Sequence, residues 1–351
     1  MQLGMIGLGR MGGNMVQRLM KQGHHCLVYD LDPEARASAA RQGATAYESL
    51  EALVSQLERP RVLWLMLPAK VVDPVLQDLL PMLAEHDTVV DGGNSCWRDD
   101  LRRANLLASS GVDYVDVGTS GGIRGLERGY CLMVGGTTTA FERIEPLLVA
   151  LAPGHEAAPL TPGRQSNGTA EQGYLHCGSH GAGHFVKMVH NAIEYGIMGA
   201  YAEGFNLLKR AGAQEHSNNA VPLDTPELYG YDFDVAEIAE LWRRGSVIGS
   251  WLLDLTAQAL HHDPALEQFS DSVSDSGEGR WAMGAAVDLG VPVPMLSAAL
   301  FSRFESRDAA LYAMKTLSAM RQGFGGHMEP PLAKAAQALN QNEDQSGSGP
   351  A

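Results

Sequence analysis

The sequence lacks a long apolar run, clustered cysteines and any excess of basic residues. No stretch reaches the roughly 18 apolar residues of a membrane-spanning helix, and its first residues are typical of a folded strand rather than a signal peptide. We therefore expect a cytoplasmic protein. The four cysteines are far apart and predict neither a zinc site nor a disulfide framework. A net charge of −15 argues against nucleic acid or an anionic membrane as partner, because both need a basic surface.

A glycine loop stands near the start of the chain, where Gly7-Leu8-Gly9-Arg10-Met11-Gly12 separates the apolar residues 3–6 from a helical pattern. Such glycines let the backbone turn tightly and approach a pyrophosphate at the helix N-terminus. A second strand, 26–29, ends in Asp30, where a carboxylate accepts hydrogen bonds from a ribose 2′-hydroxyl and repels a 2′-phosphate. This favours NAD over NADP, although Arg10 and Arg36 could soften the preference. The alternative is a glycine turn kept only for tight packing.

Three further apolar strands, 61–67, 88–91 and 113–117, each end in small polar residues. The carboxyl ends of parallel strands meet at one edge of a sheet, so this repetition predicts a single crevice there. Asn94 and Ser120 are predicted to contact a ligand, with turn chemistry as the alternative. Lys70, after Leu67 and Pro68, fits a cofactor contact and an ordinary exposed loop lysine equally well.

One uninterrupted helical segment, 184–195, carries a polar stripe on an apolar helix. Side chains three, four or seven apart share a helix face, and that face holds Lys187, His190, Asn191, Glu194 and Tyr195. Phe185, Met188, Val189 and Ile193 are expected to pack in other directions. A potential base and acid on one buried face indicate a catalytic site, while a satisfied Lys–Glu pair remains the alternative.

The 351 residues exceed the usual size of a single core, so two domains are expected. The predicted fold is α/β, with an N-terminal Rossmann-type doubly wound sheet over 1–178 and an all-α domain over 179–328. Residues 153–180 have the composition of an interdomain connection, and 329–351 form a flexible tail. Helical patterns recur over 235–260 and over 281–304, the latter read as one helix that carries Arg303. Arg321 and His327 are expected on a glycine-loosened strand.

These motifs resemble those of 6-phosphogluconate dehydrogenase, the decarboxylating enzyme of the pentose phosphate pathway. The resemblance covers residues 1–328 and is most specific in His-Phe-Val-Lys-Met-Val-His-Asn followed by Ile-Glu-Tyr, residues 184–191 and 193–195. In particular, the chain is similar to the shorter, often NAD-linked branch of that family. The wider β-hydroxyacid dehydrogenase superfamily shares the glycine loop, a Ser-Gly-Gly run and one lysine, but not the full helix motif.

The resemblance implies a general base at Lys187 and a general acid at Glu194. The implied substrate contacts are Asn94, Ser120, Gly121, Gly122, His190, Asn191, Tyr195, Arg303, Arg321 and His327, with the last two supplied by a neighbouring subunit of a homodimer or homotetramer. The implied cofactor contacts are Gly7, Leu8, Gly9, Arg10, Met11, Gly12, Asp30, Leu67, Pro68, Lys70 and Asn94. The chain departs from the longer enzymes at Ser276 and Glu278, which replace a lysine and a threonine that contact phosphate. Either Glu278 points away from the phosphate, or Arg280 takes over part of the role.

The implied reaction oxidises C3 of 6-phosphogluconate and then loses CO2. Neutral Lys187 would accept the C3 hydroxyl proton, and Glu194, two helical turns away, would deliver a proton to C1 of the enediol that decarboxylation leaves. No metal is needed. Two alternatives remain: another β-hydroxyacid dehydrogenase that acts on an unphosphorylated acid without decarboxylation, and a non-catalytic nucleotide-binding subunit.

Overall fold

A computed structural model describes residues 1–165, 168–211 and 225–326. Its eight strands form a single sheet. The strands and helices are numbered separately, each in chain order. The strands are β1 (Gln2–Ile6), β2 (His25–Tyr29), β3 (Thr45–Ala46), β4 (Val62–Leu65), β5 (Thr88–Asp91), β6 (Asp113–Ser120), β7 (Cys131–Gly135) and β8 (Tyr174–Gly178). The helices are α1 (Arg10–Lys21), α2 (Pro33–Arg41), α3 (Leu50–Gln56), α4 (Ala69–Leu79), α5 (Trp97–Ala108), α6 (Gly125–Arg128), α7 (Thr138–Leu151), α8 (Ala182–Ala211), α9 (Val235–Arg243), α10 (Trp251–His262), α11 (Glu278–Leu289), α12 (Pro294–Glu305) and α13 (Leu311–Gly325).

The sheet has the strand order β3-β2-β1-β4-β5-β6-β7-β8. β1 to β6 are parallel, and β7 is antiparallel to β6. β4 is apolar over its whole length, as expected for a central strand of a parallel sheet that is covered on both faces. Its residues Leu63, Trp64 and Leu65 are fully buried. The predicted doubly wound sheet followed by helices is confirmed.

Two compact units divide the chain. The first contains Met1–Ile197 and Ser276–Leu296, and the second contains the described residues between 198 and 275 and from 297 to 326. The first unit thus includes the first half of α8 and all of α11. The boundary predicted at 178/179 stays a prediction, and the predicted tail 329–351 lies outside the described residues.

Three details of the predicted secondary structure were wrong. The stretch read as an interdomain connection contains β8, which pairs in parallel with β7. The helix predicted over 281–304 is two helices, because Gly290 adopts φ +67 and ends α11 before α12 begins at Pro294, so Arg303 lies on α12. Arg321 lies in helix α13 rather than on a strand.

Helix α8 is otherwise as predicted, running without a break through the polar stripe. Its apolar side chains do not all pack, however: Val189 is 38% exposed and Ile193 is 50% exposed. Within the described residues, no helix is long and apolar enough to cross a membrane.

Candidate active site

The strand order reverses between β1 and β4: β2 and β3 follow on one side of β1, and β5 to β8 follow on the other side of β4. Ligands of doubly wound sheets bind at the carboxyl ends of the strands at such a reversal. The glycine loop, residues 7–12, follows β1 at that point and opens α1. No side chain caps the N-terminus of α1, and its first turn carries no acidic residue. Its unsatisfied N–H groups and helix dipole therefore suit an anion such as a pyrophosphate.

A glycine is needed for a different structural reason at each of the three glycine positions of this loop. Gly7 adopts φ +97, and a Cβ there would lie 2.5 Å from the carbonyl oxygen of Met66. A Cβ on Gly12 would overlap the carbonyl oxygen of Gly7, whereas one on Gly9 would meet nothing within 4 Å. Gly7 thus makes the turn, Gly12 allows helix and strand to pack, and Gly9 leaves open space above the loop. This pattern fits a dinucleotide and goes beyond packing alone.

Asp30 is tied to the glycine loop. One carboxylate oxygen accepts a hydrogen bond from the backbone N–H of Leu8 at 2.6 Å, and the other accepts from the N–H of Asp32 at 2.8 Å. A carboxylate has about four lone-pair sites, so Asp30 retains acceptor capacity for a ribose hydroxyl. Arg36 donates to the carbonyl oxygen of Asp30 at 2.7 Å, and Arg10 is exposed beside the loop.

The loops after β1, β4 and β5 contact one another in sequence. A Cβ on Gly7 would touch Leu67, and one on Gly93 would lie 2.6 Å from the carbonyl oxygen of Leu67. The loop of Gly93 continues to Asn94, whose side-chain oxygen accepts a hydrogen bond from Lys187 Nζ at 3.1 Å. The structure therefore brings Asn94, one of the predicted cofactor residues, next to the predicted base. Pro68 and Lys70 lie at the exposed start of α4, and Met11 lies in the first turn of α1.

Two glycines allow the start of α8 to lie directly on the sheet. A Cβ on Gly118 of β6 would be 2.5 Å from Lys187 Cβ and 2.6 Å from the carbonyl oxygen of Gly183. A Cβ on Gly183 would in turn overlap the carbonyl oxygen of Met133 and lie 2.7 Å from that of Asp116. Lys187 is thus held close to the backbone of β6. Gly118 was not predicted as a site residue, because in the sequence it is only a glycine that follows the predicted strand 113–117.

Lys187 occupies an environment that makes it a candidate base. Burial lowers the pKa of its amine, and the carboxylates of Glu278, Asp91 and Glu194 oppose that shift without overcoming it. A lowered pKa increases the fraction of neutral amine near neutral pH, as a general base requires. Glu194 lies seven residues further along the same helix and is partly exposed.

The remaining polar residues of α8 contact one another and the start of α11. Asn191 Nδ2 donates to Glu278 Oε1 at 2.7 Å, and Asn191 Oδ1 lies 3.0 Å from His190 Nδ1. The hydroxyl of Tyr195 accepts from the N–H of Ser276 at 3.4 Å. The Glu278 carboxylate is 3% exposed and contacts the polar stripe through Asn191. Both alternatives for its relation to the substrate phosphate stay predictions.

A buried charge network lies beneath this stripe and was not predicted. His184 Nδ1 contacts Asp100 at 2.7 Å, and Arg103 donates to Asp91 at 3.0 Å. The Tyr114 hydroxyl lies between the two carboxylates, at 2.8 Å from Asp100 and 3.2 Å from Asp91. Asp91, Asp100 and His184 approach closely enough to ligate a metal, but the guanidinium of Arg103 already supplies the balancing positive charge. The network joins α5, β5, β6 and α8 and fixes the strand end that leads to Asn94.

Asp116 connects the same network to the backbone of α8. Its two oxygens accept from the N–H of Gly181 at 2.6 Å and of His184 at 3.0 Å. These are N–H groups at the start of a helix, where a carboxylate is favoured by hydrogen bonding and by the dipole. A buried aspartate of β6 therefore fixes the direction in which α8 leaves the sheet.

The His184–Asp100 pair predicts a pH-dependent stability. Burial alone would lower the pKa of His184, but the Asp100 carboxylate overcomes burial and raises it to about 9. The unfolded value is about 6.5, so the stabilisation is complete below that pH and is lost as pH rises through the folded value. Between pH 6 and 9.5, wild-type protein should lose on the order of 2 kcal/mol of unfolding free energy more than His184→Gln. Urea unfolding at both pH values measures this.

The control for that measurement is His155→Gln, since His155 is an exposed histidine outside the network. It should follow the wild-type pH dependence. Equal pH slopes for wild type and His184→Gln would contradict a charged histidine in the core.

The other predicted substrate residues fall into two groups. Ser120 ends β6, and Gly121 and Gly122 follow it with φ +135 and +54; a Cβ on Gly122 would meet nothing within 4 Å. Arg303 and Arg321 belong to the second unit, where Arg303 Nη1 donates to the carbonyl oxygen of Ser274 at 2.7 Å. Their phosphate contacts stay predictions, and His327 lies outside the described residues.

Comparisons with known proteins identify relatives over nearly the whole chain. Residues 2–158 match the family model described as the NAD binding domain of 6-phosphogluconate dehydrogenase, and residues 183–221 match the model of its C-terminal domain. An NAD(+)-dependent, decarboxylating 6-phosphogluconate dehydrogenase of Haloferax volcanii is 39% identical over 93% of this chain and 98% of its own length.

Solved structures give the same relationship. The 6-phosphogluconate dehydrogenase of Plasmodium falciparum has a TM-score of 0.70 and 25% identity, covering 95% of this chain and 67% of that chain. A 3-hydroxyisobutyrate dehydrogenase of Mycobacterium tuberculosis, with a TM-score of 0.62, 21% identity and coverage of 88% of this chain and 94% of that chain, shares the fold.

Proposed function

Because the chain belongs to the 6-phosphogluconate dehydrogenase family, we propose that it converts 6-phospho-D-gluconate to D-ribulose 5-phosphate and CO2 with reduction of NAD. The chain is an oxidoreductase of that family. The observation that carries the finer proposal is the hydrogen bond between Lys187 and Asn94. It joins the candidate base to the loop that follows the candidate dinucleotide site.

The glycine loop and Asp30 fit NAD, because the space above Gly9 is open and Asp30 has spare acceptor capacity. When bound, NAD would supply the hydride acceptor for the oxidation of C3 of the substrate. We propose that residues 7–12, Asp30, Leu67, Pro68, Lys70 and Asn94 hold the coenzyme, with NAD preferred and NADP possible. The cytoplasm is the proposed location.

In the proposed reaction, neutral Lys187 accepts the proton of the C3 hydroxyl. The resulting β-keto acid loses CO2 because the electrons of the breaking bond pass into the ketone, and the Lys187 ammonium stabilises the forming enolate. Glu194 then donates a proton to the enolate carbon that was C2 of the sugar acid and is C1 of the product. This leaves the ketone of D-ribulose 5-phosphate at the former C3. Ser120, Gly121, Gly122, His190, Asn191 and Tyr195 are proposed to orient the sugar acid.

The phosphate end of the substrate is proposed to contact Arg303, Arg321 and His327. Ser276 and Glu278 stand where the longer enzymes carry phosphate-binding residues, and the buried carboxylate of Glu278 repels a phosphate. That observation favours an unphosphorylated sugar acid as the second candidate substrate.

Paired assays test substrate, coenzyme and reaction together. NAD and NADP are each supplied with 6-phosphogluconate or with gluconate, and released CO2 is trapped while reduced coenzyme is measured. The proposal expects one CO2 per NADH with 6-phosphogluconate and little turnover of gluconate. Reduction of NAD without CO2 would support a non-decarboxylating dehydrogenase. Absence of turnover on a panel of sugar acids would support a non-catalytic nucleotide-binding subunit.

The coenzyme preference is expected to depend on Asp30. Asp30→Asn keeps an acceptor for the Leu8 N–H but removes the negative charge that repels a 2′-phosphate. We expect the NAD/NADP ratio of kcat/KM to fall about tenfold. Asp32→Asn is the matched control, because Asp32 caps α2 and asparagine caps equally well. If the NAD/NADP ratio of kcat/KM were unchanged in Asp30→Asn, Asp30 would have no role in the choice of coenzyme.

We propose that the protein is a homodimer or homotetramer whose tail segments reach a neighbouring subunit. Val186, Val189, Ile193 and Ile197 form an exposed apolar stripe on α8, each between 38% and 50% exposed. A contiguous apolar surface of this kind supports self-association. Sedimentation velocity tests it, and a monomer at micromolar concentration would refute it.

A further inference from the structure

Glu278 is a buried carboxylate at the first position of α11. It is 3% exposed, and only its Oε1 is hydrogen-bonded, to Asn191 Nδ2. Its Oε2 is buried without a hydrogen-bond partner among the described residues. An ionised carboxylate with so few partners is unfavourable in a protein interior unless a positive charge lies nearby.

Lys187 supplies that charge. Glu278 Oε1 accepts a hydrogen bond at 2.7 Å from Asn191, which lies one helical turn after Lys187 on the same face of α8. The charges of Glu278, of Asp91 at the end of β5 and of Glu194 on α8 all act to raise the pKa of Lys187 against its burial. Asp91 already accepts hydrogen bonds from Arg103 and Ser95. Glu278 forms no ion pair within the described ranges, and of the three it raises the pKa of Lys187 most.

We propose that Glu278 sets the protonation state of Lys187: its negative charge retains a proton on the amine and so fixes the pH above which Lys187 can act as the base. The inference rests on the proposed role of Lys187. Glu278 acts through Lys187 and is a positioning residue. Through Oε1 it also holds Asn191, a contact that a glutamine preserves.

The test is Glu278→Gln, which removes the charge and keeps the side-chain volume and the acceptor for Asn191. Trace acetylation with acetic anhydride, quantified for each lysine by mass spectrometry between pH 6 and pH 11, follows the unprotonated fraction of Lys187 without any substrate. For each protein, acetylation of Lys187 is divided by its plateau value at high pH. Below that plateau, we expect this fraction to be roughly threefold or more higher in Glu278→Gln than in wild type. The acidic limb of the kcat/KM profile should move to lower pH by as much as the acetylation profile of Lys187 does.

Asp288→Asn is the matched control. Asp288 lies on the same helix but is exposed and paired with Arg98 at 2.6 Å, so its loss changes the net charge equally without facing Lys187. It should leave both profiles unchanged. Glu278→Thr, neutral and smaller, replaces the glutamine variant if that variant does not fold.

The outcomes separate this inference from the proposed reaction. An unchanged Lys187 acetylation profile in a folded, neutral variant would overturn the role of Glu278. A shifted profile in a protein that never oxidises 6-phosphogluconate would support the charge coupling and overturn only the proposed function.

Discussion

Lys187→Met should lower kcat on 6-phosphogluconate by about 10²–10⁴-fold, the usual contribution of a general base, while NAD still binds. Methionine matches the length of the lysine stem but carries no basic nitrogen. Its loss leaves the C3 hydroxyl proton without an acceptor. Coenzyme affinity should change far less than kcat. Lys187 is hydrogen-bonded to Asn94, but the glycine loop and Asp30, which are proposed to hold the pyrophosphate and the ribose, make no hydrogen bond to Lys187. Steady-state kinetics and calorimetric titration with NAD measure the two effects.

Lys209→Met is the matched control, since Lys209 lies in the last turn of the same helix and is exposed. Its kcat should stay within a factor of about two of wild type, as expected for a surface substitution. Near-normal turnover by Lys187→Met would refute the base, and loss of NAD binding together with turnover would indicate general damage to the site.

Gly183→Ala should have the largest effect on stability. The added Cβ would overlap the carbonyl oxygen of Met133 and approach two further backbone atoms, of Asp116 at 2.7 Å and of Gly135 at 2.8 Å. Backbone atoms of a sheet cannot turn aside as a flexible side chain can, so the start of α8 must move. Overpacking of this kind costs about 1–3 kcal/mol or more. We expect a lower thermal midpoint together with a loss of activity, because Lys187 moves with the helix.

Gly204→Ala makes the same substitution in the same helix, where a Cβ would meet nothing within 4 Å. Alanine is favoured over glycine inside a helix by roughly 1 kcal/mol, so this variant should be slightly more stable and fully active. If the two variants behaved alike, the close approach of α8 to the sheet would not limit stability.

The periodicity of the sequence predicted the elements that carry the site. Apolar runs ending in small residues predicted β1, β4 and β5, and the uninterrupted segment 184–195 predicted the start of α8, because these signals are local. The turn at Gly290 was missed, since one glycine between two apolar helical patterns does not reveal that it adopts φ +67. The strand β8 was missed because a short edge strand in a region rich in glycine and proline has almost no periodicity.

The buried network escaped prediction for a different reason. Asp91, Asp100, Asp116 and His184 are far apart in the sequence and meet only because β5, α5, β6 and α8 converge. A single sequence gives no spacing rule for such long-range contacts. Gly118 is similar, since the need for a glycine there arises from Lys187 and Gly183, which lie 65 or more positions later. Helical periodicity therefore predicted which residues share the polar face of α8. It could not predict the buried carboxylates and glycines that pack against that helix.

The contact between Asp30 and the Leu8 N–H has a consequence for changing the coenzyme. The same carboxylate that would select the ribose also holds the phosphate-binding turn in place through a 2.6 Å hydrogen bond. Asp30→Ala would relieve the repulsion of a 2′-phosphate. It would also remove the hydrogen-bond acceptor of the Leu8 N–H and so weaken the affinity for both dinucleotides. Evolution or engineering toward the phosphorylated coenzyme must therefore pass through a neutral acceptor at this position, with arginines recruited around it afterwards.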